Sequence, residues 1–244
     1  MTERSWDNVI AENIAQIRAR MAAAAREAGR DPGDILLVGA SKMNDAAACR
    51  EAIAAGIDAL GENRVQEMTC KLAQHAYDGA PLHFIGHLQR NKVGKVVGFV
   101  DLIESVGSAE LLRAVDAQAE KRGIVQDILL EINVGGEESK SGFAPEEALA
   151  AADAARGCAH VRLRGLMCIP PAAEEKHASV PYFEKVRALF VDINQNLYHN
   201  KLDILSMGMS GDFEDAIRCG ATVVRVGTAI FGTRRYPAAE TLTN

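Results

Sequence analysis

Residues 36–44, LLVGASKMN, run apolar up to an abrupt lysine, Lys42. An ammonium at the edge of a core is costly to desolvate, and an amine so placed can serve as a nucleophile toward a carbonyl. The long aliphatic stem also lets such a lysine simply reach water, so this stretch alone leaves both roles open. Two later stretches bear on the choice. SMGMSGD, residues 206–212, and RVGTAIFG, residues 225–232, each set small and hydroxyl residues where a strand gives way to a helix. A turn of that kind lets backbone N–H groups close on an anion. Neither is a nucleoside-triphosphate loop, because Gly227 and Gly232 are followed by Thr233 and Arg234 where that motif needs Lys and then Ser or Thr. A reactive amine together with a phosphate-binding corner points to a phosphorylated aldehyde as the ligand.

The other candidates are polar residues that follow apolar runs. HFIGHLQRNK, residues 83–92, offers His83 and His87, but their spacing across a strand and its loop does not put them on one helix face, and no third ligand stands nearby. A metal site is therefore not expected; His87 is placed in the pocket and His83 in the core. Asn63, after ALGE, can donate and accept in the same pocket or cap the helix that begins there.

These residues need a scaffold that gathers them. An opening helix keeps Ile10, Ile14, Ile17 and Met21 at helical spacing, with Ser5 as its expected cap and Gly29 as its stop. After it, eight short β-rich runs alternate with helical segments, at residues 35–40, 59–60, 82–85, 100–103, 127–132, 161–166, 204–205 and 223–226. Asn44 or Asp45 starts one helix that Gly56 stops, and Pro145 with Glu146 and Glu147 opens another that Gly157 stops. Continuous apolar strands in this alternation fit a closed parallel (β/α)8 barrel of the TIM type, with an extra N-terminal helix, better than an open doubly wound sheet. No linker of biased composition interrupts the chain, so residues 1–244 are expected to form one domain. A barrel puts its chemistry at the C-terminal ends of its strands. Those ends carry Lys42; Glu62 and Asn63; His87; Glu104 and Ser105; Asn133; Met167; Ser206, Met207 and Ser210; and Arg225, Gly227 and Thr228. Lys42 thus falls on the functional face.

Composition excludes several classes. A net charge of −6 argues against a binder of nucleic-acid backbone, which carries a basic excess. No stretch is long and apolar enough to cross a bilayer, and the N-terminus lacks the basic-then-apolar order of a signal peptide. The five cysteines, Cys49, Cys70, Cys158, Cys168 and Cys219, form no C-x-x-C pair and read as buried thiols in a reducing compartment. A cytoplasmic protein is expected, without nucleic-acid or membrane partners.

Six stretches in fixed order, LVGASK, GENRVQE, HFIGHLQRNK, SKSGF, RGLMCI and LSMGMSGDFEDAIRCGATVVRVGTAIFG, together resemble the pyridoxal phosphate homeostasis protein family, whose barrel is similar to the N-terminal domain of alanine racemase. The likeness runs from about residue 5 to residue 236. It implies pyridoxal 5'-phosphate (PLP) bound as an aldimine on Lys42, with the phosphate at Ser210, Gly227 and Thr228. It further implies Arg225 facing the pyridine nitrogen and Asn63 near the ring; His87 and Met207 complete the expected pocket. Asn44 and Arg64 stand where many members carry Lys and Tyr, and Lys140 falls on the loop after strand five, where a solvated charge is the expected role.

Two functions follow from such a site. One is a carrier and regulator that limits the free aldehyde, serves vitamin B6 homeostasis and delivers PLP to apo-enzymes, as a monomer. The other is an amino acid racemase-like or decarboxylase catalyst using the same linkage. A two-base racemase takes its second acid/base from an additional β domain, and the chain stops soon after strand eight, which favours the carrier. An aldolase working through a lysine without PLP would have no use for Arg225.

Overall fold

The computed structural model describes residues 9–137, 141–172 and 175–232. Ser5, Lys140, Thr233 and Arg234 lie outside the described residues. Eight parallel strands close in sequence order: β1 Leu36–Ala40, β2 Ala59–Glu62, β3 Leu82–Phe84, β4 Leu102–Val106, β5 Gln126–Ile132, β6 Val161–Cys168, β7 Ile204–Ser206 and β8 Val223–Val226. The circle is shut by pairing of β1 with β8 in the register Val38↔Arg225, which excludes an open doubly wound sheet. The helices are α1 Val9–Glu27, α2 Ala46–Ala54, α3 Val65–Leu72, α4 Ala109–Arg122, α5 Ala148–Arg156, α6 Val180–Asn196, α7 Phe213–Arg218 and α8 Thr228–Phe231, with a 3-10 turn at Arg90–Lys95 after β3. This is a (β/α)8 barrel, and α1 is the helix that precedes its first strand.

Local chemistry accounts for the helix ends. Asp45 caps α2 by accepting from the Ala48 amide, Ser108 caps α4 from Leu111, and Gly123 ends α4 in the left-handed conformation that glycine adopts without a Cβ penalty. Pro145 opens a 3-10 turn that leads into α5, and Gly157 follows that helix. The α1 stripe Ile10, Ile14, Ile17 and Met21 is buried, and Asn13 Nδ2 donates to the Ile230 carbonyl at 2.8 Å. Arg20 reaches Glu214 of α7, so α1 is fastened to the last units of the barrel.

Most strands differ from expectation at an end by one to three residues, β6 running on to Cys168 and β7 to Ser206, and two of the differences move charged residues. β2 runs on through Glu62, and β4 lies further along, so that Glu104 and Ser105 are strand residues and not loop residues. A charged residue read as a strand's end is here buried inside the sheet, because partners inside the fold replace water. The cysteines need a correction too. All five are free, but Cys70 is exposed and Cys158 and Cys219 are half-buried, leaving only Cys49 and Cys168 in the core. Among the described residues no helix is long and apolar enough to cross a membrane.

The barrel interior changes character along its axis. Strand alternation turns Val38, Ala59 and Val223 inward as one small apolar cluster, and Leu102, Leu129 and Met167 as another. Nearer the C-terminal ends the inward positions become polar: Glu104, two residues past Leu102; Ser206, two past Ile204; and Arg225, two past Val223. His83 Nδ1 lies 2.7 Å from Glu104 Oε1, and Ser206 Oγ donates to Glu104 Oε2 at 2.6 Å. Arg225 donates to Ser206 Oγ and, at 2.9 Å, to the Cys168 carbonyl, with its Nη1 3.6 Å from Glu104 Oε2. Burial opposes ionisation of Glu104, but the hydrogen bond and charge of His83, then Arg225 and Ser206, outweigh it and hold the carboxyl below its usual range.

That balance gives the layer a pH signature. Glu104→Gln keeps the shape but removes the charge facing Arg225, and breaking a buried pair costs about 3–5 kcal/mol. A carboxyl whose folded pKa is depressed stabilises above its unfolded value, 4.5, and loses that contribution as pH falls through the folded value. Urea unfolding of wild type and Glu104→Gln is therefore expected to show the full gap at pH 7 and a narrowing gap in acid. A gap independent of pH would mean that Glu104 is not ionised in the fold.

Candidate functional site

Above the polar layer, at the C-terminal end of the barrel, lies a cavity of about 310 Å³. Lys42 and Asn44 reach it from the turn after β1, Asn63 from the end of β2, Ser210 from the loop after β7, and Arg225, Gly227 and Thr228 from β8 and the start of α8. Ile85, Ile169 and Phe231 supply apolar wall. Its volume is at the small end of the range of about 300–1,000 Å³ usual for small-molecule sites. Exposure falls from rim to floor, since Thr228 is exposed, Lys42 and Ser210 are half-buried and Arg225 is 4% exposed.

Two expected residues stand elsewhere. Met207 is fully buried in the shell between strands and helices, on the opposite side of β7's continuation from Ser206, and does not line the cavity. His87 is exposed and lines a separate depression with Arg64, Gln89 and Lys92, which shares Asn63 with the cavity. His83 is in the barrel core, bonded to Glu104. Among the described residues no cluster of three or more His, Cys, Asp or Glu could hold a metal ion.

The backbone carrying Lys42 is unusually determined. The Asn44 amide donates to the Ser41 carbonyl at 3.0 Å, closing a turn with Lys42 and Met43 at its centre. Met43 has φ +63°, a left-handed conformation that costs a non-glycine residue about 1–3 kcal/mol and persists only where the surroundings impose it. The surroundings do so. Glu67 Oε2 accepts from the Met43 amide at 2.8 Å, Lys71 Nζ donates to the Ser41 carbonyl at 2.8 Å, and Asn44 Nδ2 donates to the Lys42 carbonyl at 3.1 Å. Behind them Glu62 Oε1 accepts from Ser41 Oγ at 2.6 Å, from Tyr77 Oη at 3.0 Å and from Lys71 Nζ. Burial beside Glu62 drives the Tyr77 phenol far above its ordinary pKa, so it remains a donor.

Asn63 is placed by backbone contact. α3 is capped at Arg64 without any side-chain hydrogen bond, so the capping role open to Asn63 is not used. Instead, Gly86 packs against it: a Cβ at Gly86 would fall 2.2 Å from the Asn63 carbonyl oxygen. Ser105 Oγ holds the Gly86 carbonyl at 2.6 Å, and β4 thereby steadies the loop that supports Asn63.

Rim and floor differ in chemistry. At the rim the Ala229 amide donates to Ser210 Oγ at 3.5 Å, while the Ile230 and Phe231 amides are taken by the Gly227 carbonyl, and the Thr228 hydroxyl lines the same corner of the cavity. A Cβ at Gly227 would lie 3.3 Å from the Ala40 carbonyl, so glycine keeps the two strands' ends close there. Arg225 on the floor is a fixed donor with no capacity to accept. The set therefore offers an amine, an anion-binding rim and a charged donor within one small cavity.

Sequence reasoning missed the partners more than the site. Glu62, Lys71 and Glu131 are buried charged residues that composition places on the surface. Glu131 faces the same interior as Glu104, where burial pushes its carboxyl up and the Ser141 hydroxyl, 3.2 Å away, opposes the shift. The available signal was period: Glu104, Glu131 and Arg225 each sit two residues beyond an inward apolar position.

The chain matches the family model described as alanine racemase, N-terminal domain, over residues 9–235. It is 43% identical over 231 residues to the pyridoxal phosphate homeostasis protein of Pseudomonas aeruginosa, covering 95% of this chain and 98% of that protein. PipY of Synechococcus elongatus, solved with PLP bound, superposes with a TM-score of 0.79 at 34% identity, covering 91% of this chain and 100% of that one. An alanine racemase of Clostridium difficile shares the fold alone, at a TM-score of 0.70 and 17% identity, over 95% of this chain and 58% of the racemase.

Proposed function

The chain belongs to the pyridoxal phosphate homeostasis protein family, and on that premise we propose that it binds PLP through Lys42 as a Schiff base and serves vitamin B6 homeostasis as a carrier. The observation that supports this most is convergence: Lys42, Arg225 and the Ser210–Gly227–Thr228 rim line one cavity although they come from opposite ends of the chain. PLP, when bound, supplies an aldehyde open to an amine and a ring able to accept electrons. Lys42 provides the amine. Ser210, Gly227 and Thr228 would hold the phosphate, Asn63 would lie near the ring, and Ile85 and Ile169 would supply its apolar surroundings.

Arg225 favours holding over turnover. A guanidinium is permanently charged and donates only, so it presents the ring nitrogen with a hydrogen bond and withholds a proton. A carboxylate in that position would do the reverse. The reading assigns delivery of PLP to apo-enzymes, as a monomer in the cytoplasm, where five free thiols are suited to reducing conditions.

Three results test this. Lys42→Ala is expected to abolish the Schiff-base absorption with the fold retained, and borohydride reduction of wild type followed by peptide mapping is expected to put the pyridoxyl group on Lys42; finding it solely on Lys140 or another lysine would refute the assignment. Thr228→Val keeps the volume but removes a donor to a charged group, and should weaken PLP by about 1.5–3 kcal/mol while leaving pyridoxal nearly unaffected. Equal losses would place the phosphate elsewhere. Holo-protein in heavy water with L-alanine is expected to show negligible Cα exchange while transferring PLP to an apo-enzyme. Exchange at rates typical of enzymes, lost in Lys42→Ala, would instead establish a catalyst.

A further inference from the structure

Lys71 is a lysine with 6% exposure that does not itself line the cavity, and the binding scheme above makes no use of it. A buried ion pair adds little stability over an apolar replacement, so its presence calls for another reason. The geometry supplies one. Glu67 and Lys71 are four residues apart on α3 and project from one face of the helix. That face meets the turn carrying Lys42 at both sides: Lys71 Nζ on the carbonyl of Ser41, immediately before it, and Glu67 on the amide of Met43, immediately after it. Glu62 anchors the Lys71 ammonium from β2, and Tyr77 and Ser41 Oγ anchor Glu62. Arg64 lies 3.6 Å from Glu67 Oε1, at the outer end of the same cluster.

We propose that Glu67 and Lys71 are positioning residues, a two-point clamp by which α3 imposes the left-handed turn at Met43 and aims the Lys42 amine into the cavity. The inference rests on the reading that Lys42 captures an aldehyde. The clamp touches neither ring nor phosphate. Its loss therefore weakens covalent capture selectively, and binding of a ligand with the same ring and phosphate but no aldehyde is left alone. A general loosening of the fold would weaken both.

The test compares PLP with pyridoxine 5'-phosphate, in which an alcohol replaces the aldehyde. Lys71→Met and Glu67→Ala, which removes the acceptor of the Met43 amide, are each expected to lower PLP affinity and the rate of Schiff-base formation about tenfold or more, since small misplacements of a reacting group carry penalties of that order. Pyridoxine 5'-phosphate should change by less than about twofold in the same variants. In a Lys42→Ala background, neither substitution should alter PLP binding further. Glu67→Ala, at the more exposed side of the helix, keeps the test decisive if Lys71→Met fails to fold. Parallel losses for both ligands, or unchanged PLP capture in both variants, would overturn the clamp while leaving the carrier reading intact. Absence of a Schiff base in wild type would overturn the two together.

Discussion

When β1 pairs with β8 in the register Val38↔Arg225, two segments separated by most of the chain become neighbours. The turn that follows β1 then stands beside the glycine and hydroxyl residues that follow β8, and an amine at position 42 shares a cavity with Gly227 and Thr228. The pairing is non-local, so its loop-closure entropy is recovered only when the intervening strands are in place. Every requirement on the site is in this sense a requirement on barrel closure. The fastening of α1 to α7 and to Ile230 covers the same seam from outside.

Closure brings an electrostatic problem with it. Among the described residues Arg225 is the only buried arginine, and it lies on the floor of the cavity. Unpaired, a guanidinium there would be expelled or would disrupt the layer. Glu104 answers its charge, Ser206 and the Cys168 carbonyl take its N–H groups, and His83 holds Glu104 from the far side. A second buried pair, Lys71 with Glu62, lies outside the sheet beneath α3. The inner pair fixes what a bound ring would meet, and the outer pair fixes the backbone from which the lysine reaches it. Neither is accounted for by stability alone.

The division between what was legible and what was not follows from the same distinction. Strand positions could be read because continuous apolar runs are forced on any strand covered on both faces. Lys42, Ser210, Gly227 and Thr228 could be read because they break those runs at the end where a barrel keeps its chemistry. The supports could not. Lys71 in VQEMTCKL looks like an ordinary polar residue of a surface helix, and only the distance to Ser41 reveals its partner. His87 was assigned to the cavity by its nearness in sequence to the end of β3, whereas the chain there turns through Leu88 and leaves the imidazole outside. Met207 shows the limit of counting: it adjoins Ser206, but alternation sends it to the other side of the sheet.

The gradient of exposure across the cavity bears on what the site is for. An enzyme gains rate only from contacts stronger in the transition state than in the ground state, whereas a carrier gains from contacts that are equal throughout. Arg225 on the floor is buried, hydrogen-bonded to Ser206 and the Cys168 carbonyl, and can only donate, so it does not follow a change in charge on a ligand. The rim is the reverse: Thr228 is exposed and Ser210 half-buried, and a phosphate held there keeps contact with solvent. Binding energy placed at an open rim is surrendered stepwise when another protein or water competes for the anion. The lysine is half-buried between the two, and on the proposed reading a Schiff base there would be within reach of the water its hydrolysis needs. Tight geometry at the amine and an accessible phosphate are compatible demands only if the turn is held from behind. In the proposed clamp that support comes from α3, through Lys71 on the Ser41 carbonyl and Glu67 on the Met43 amide.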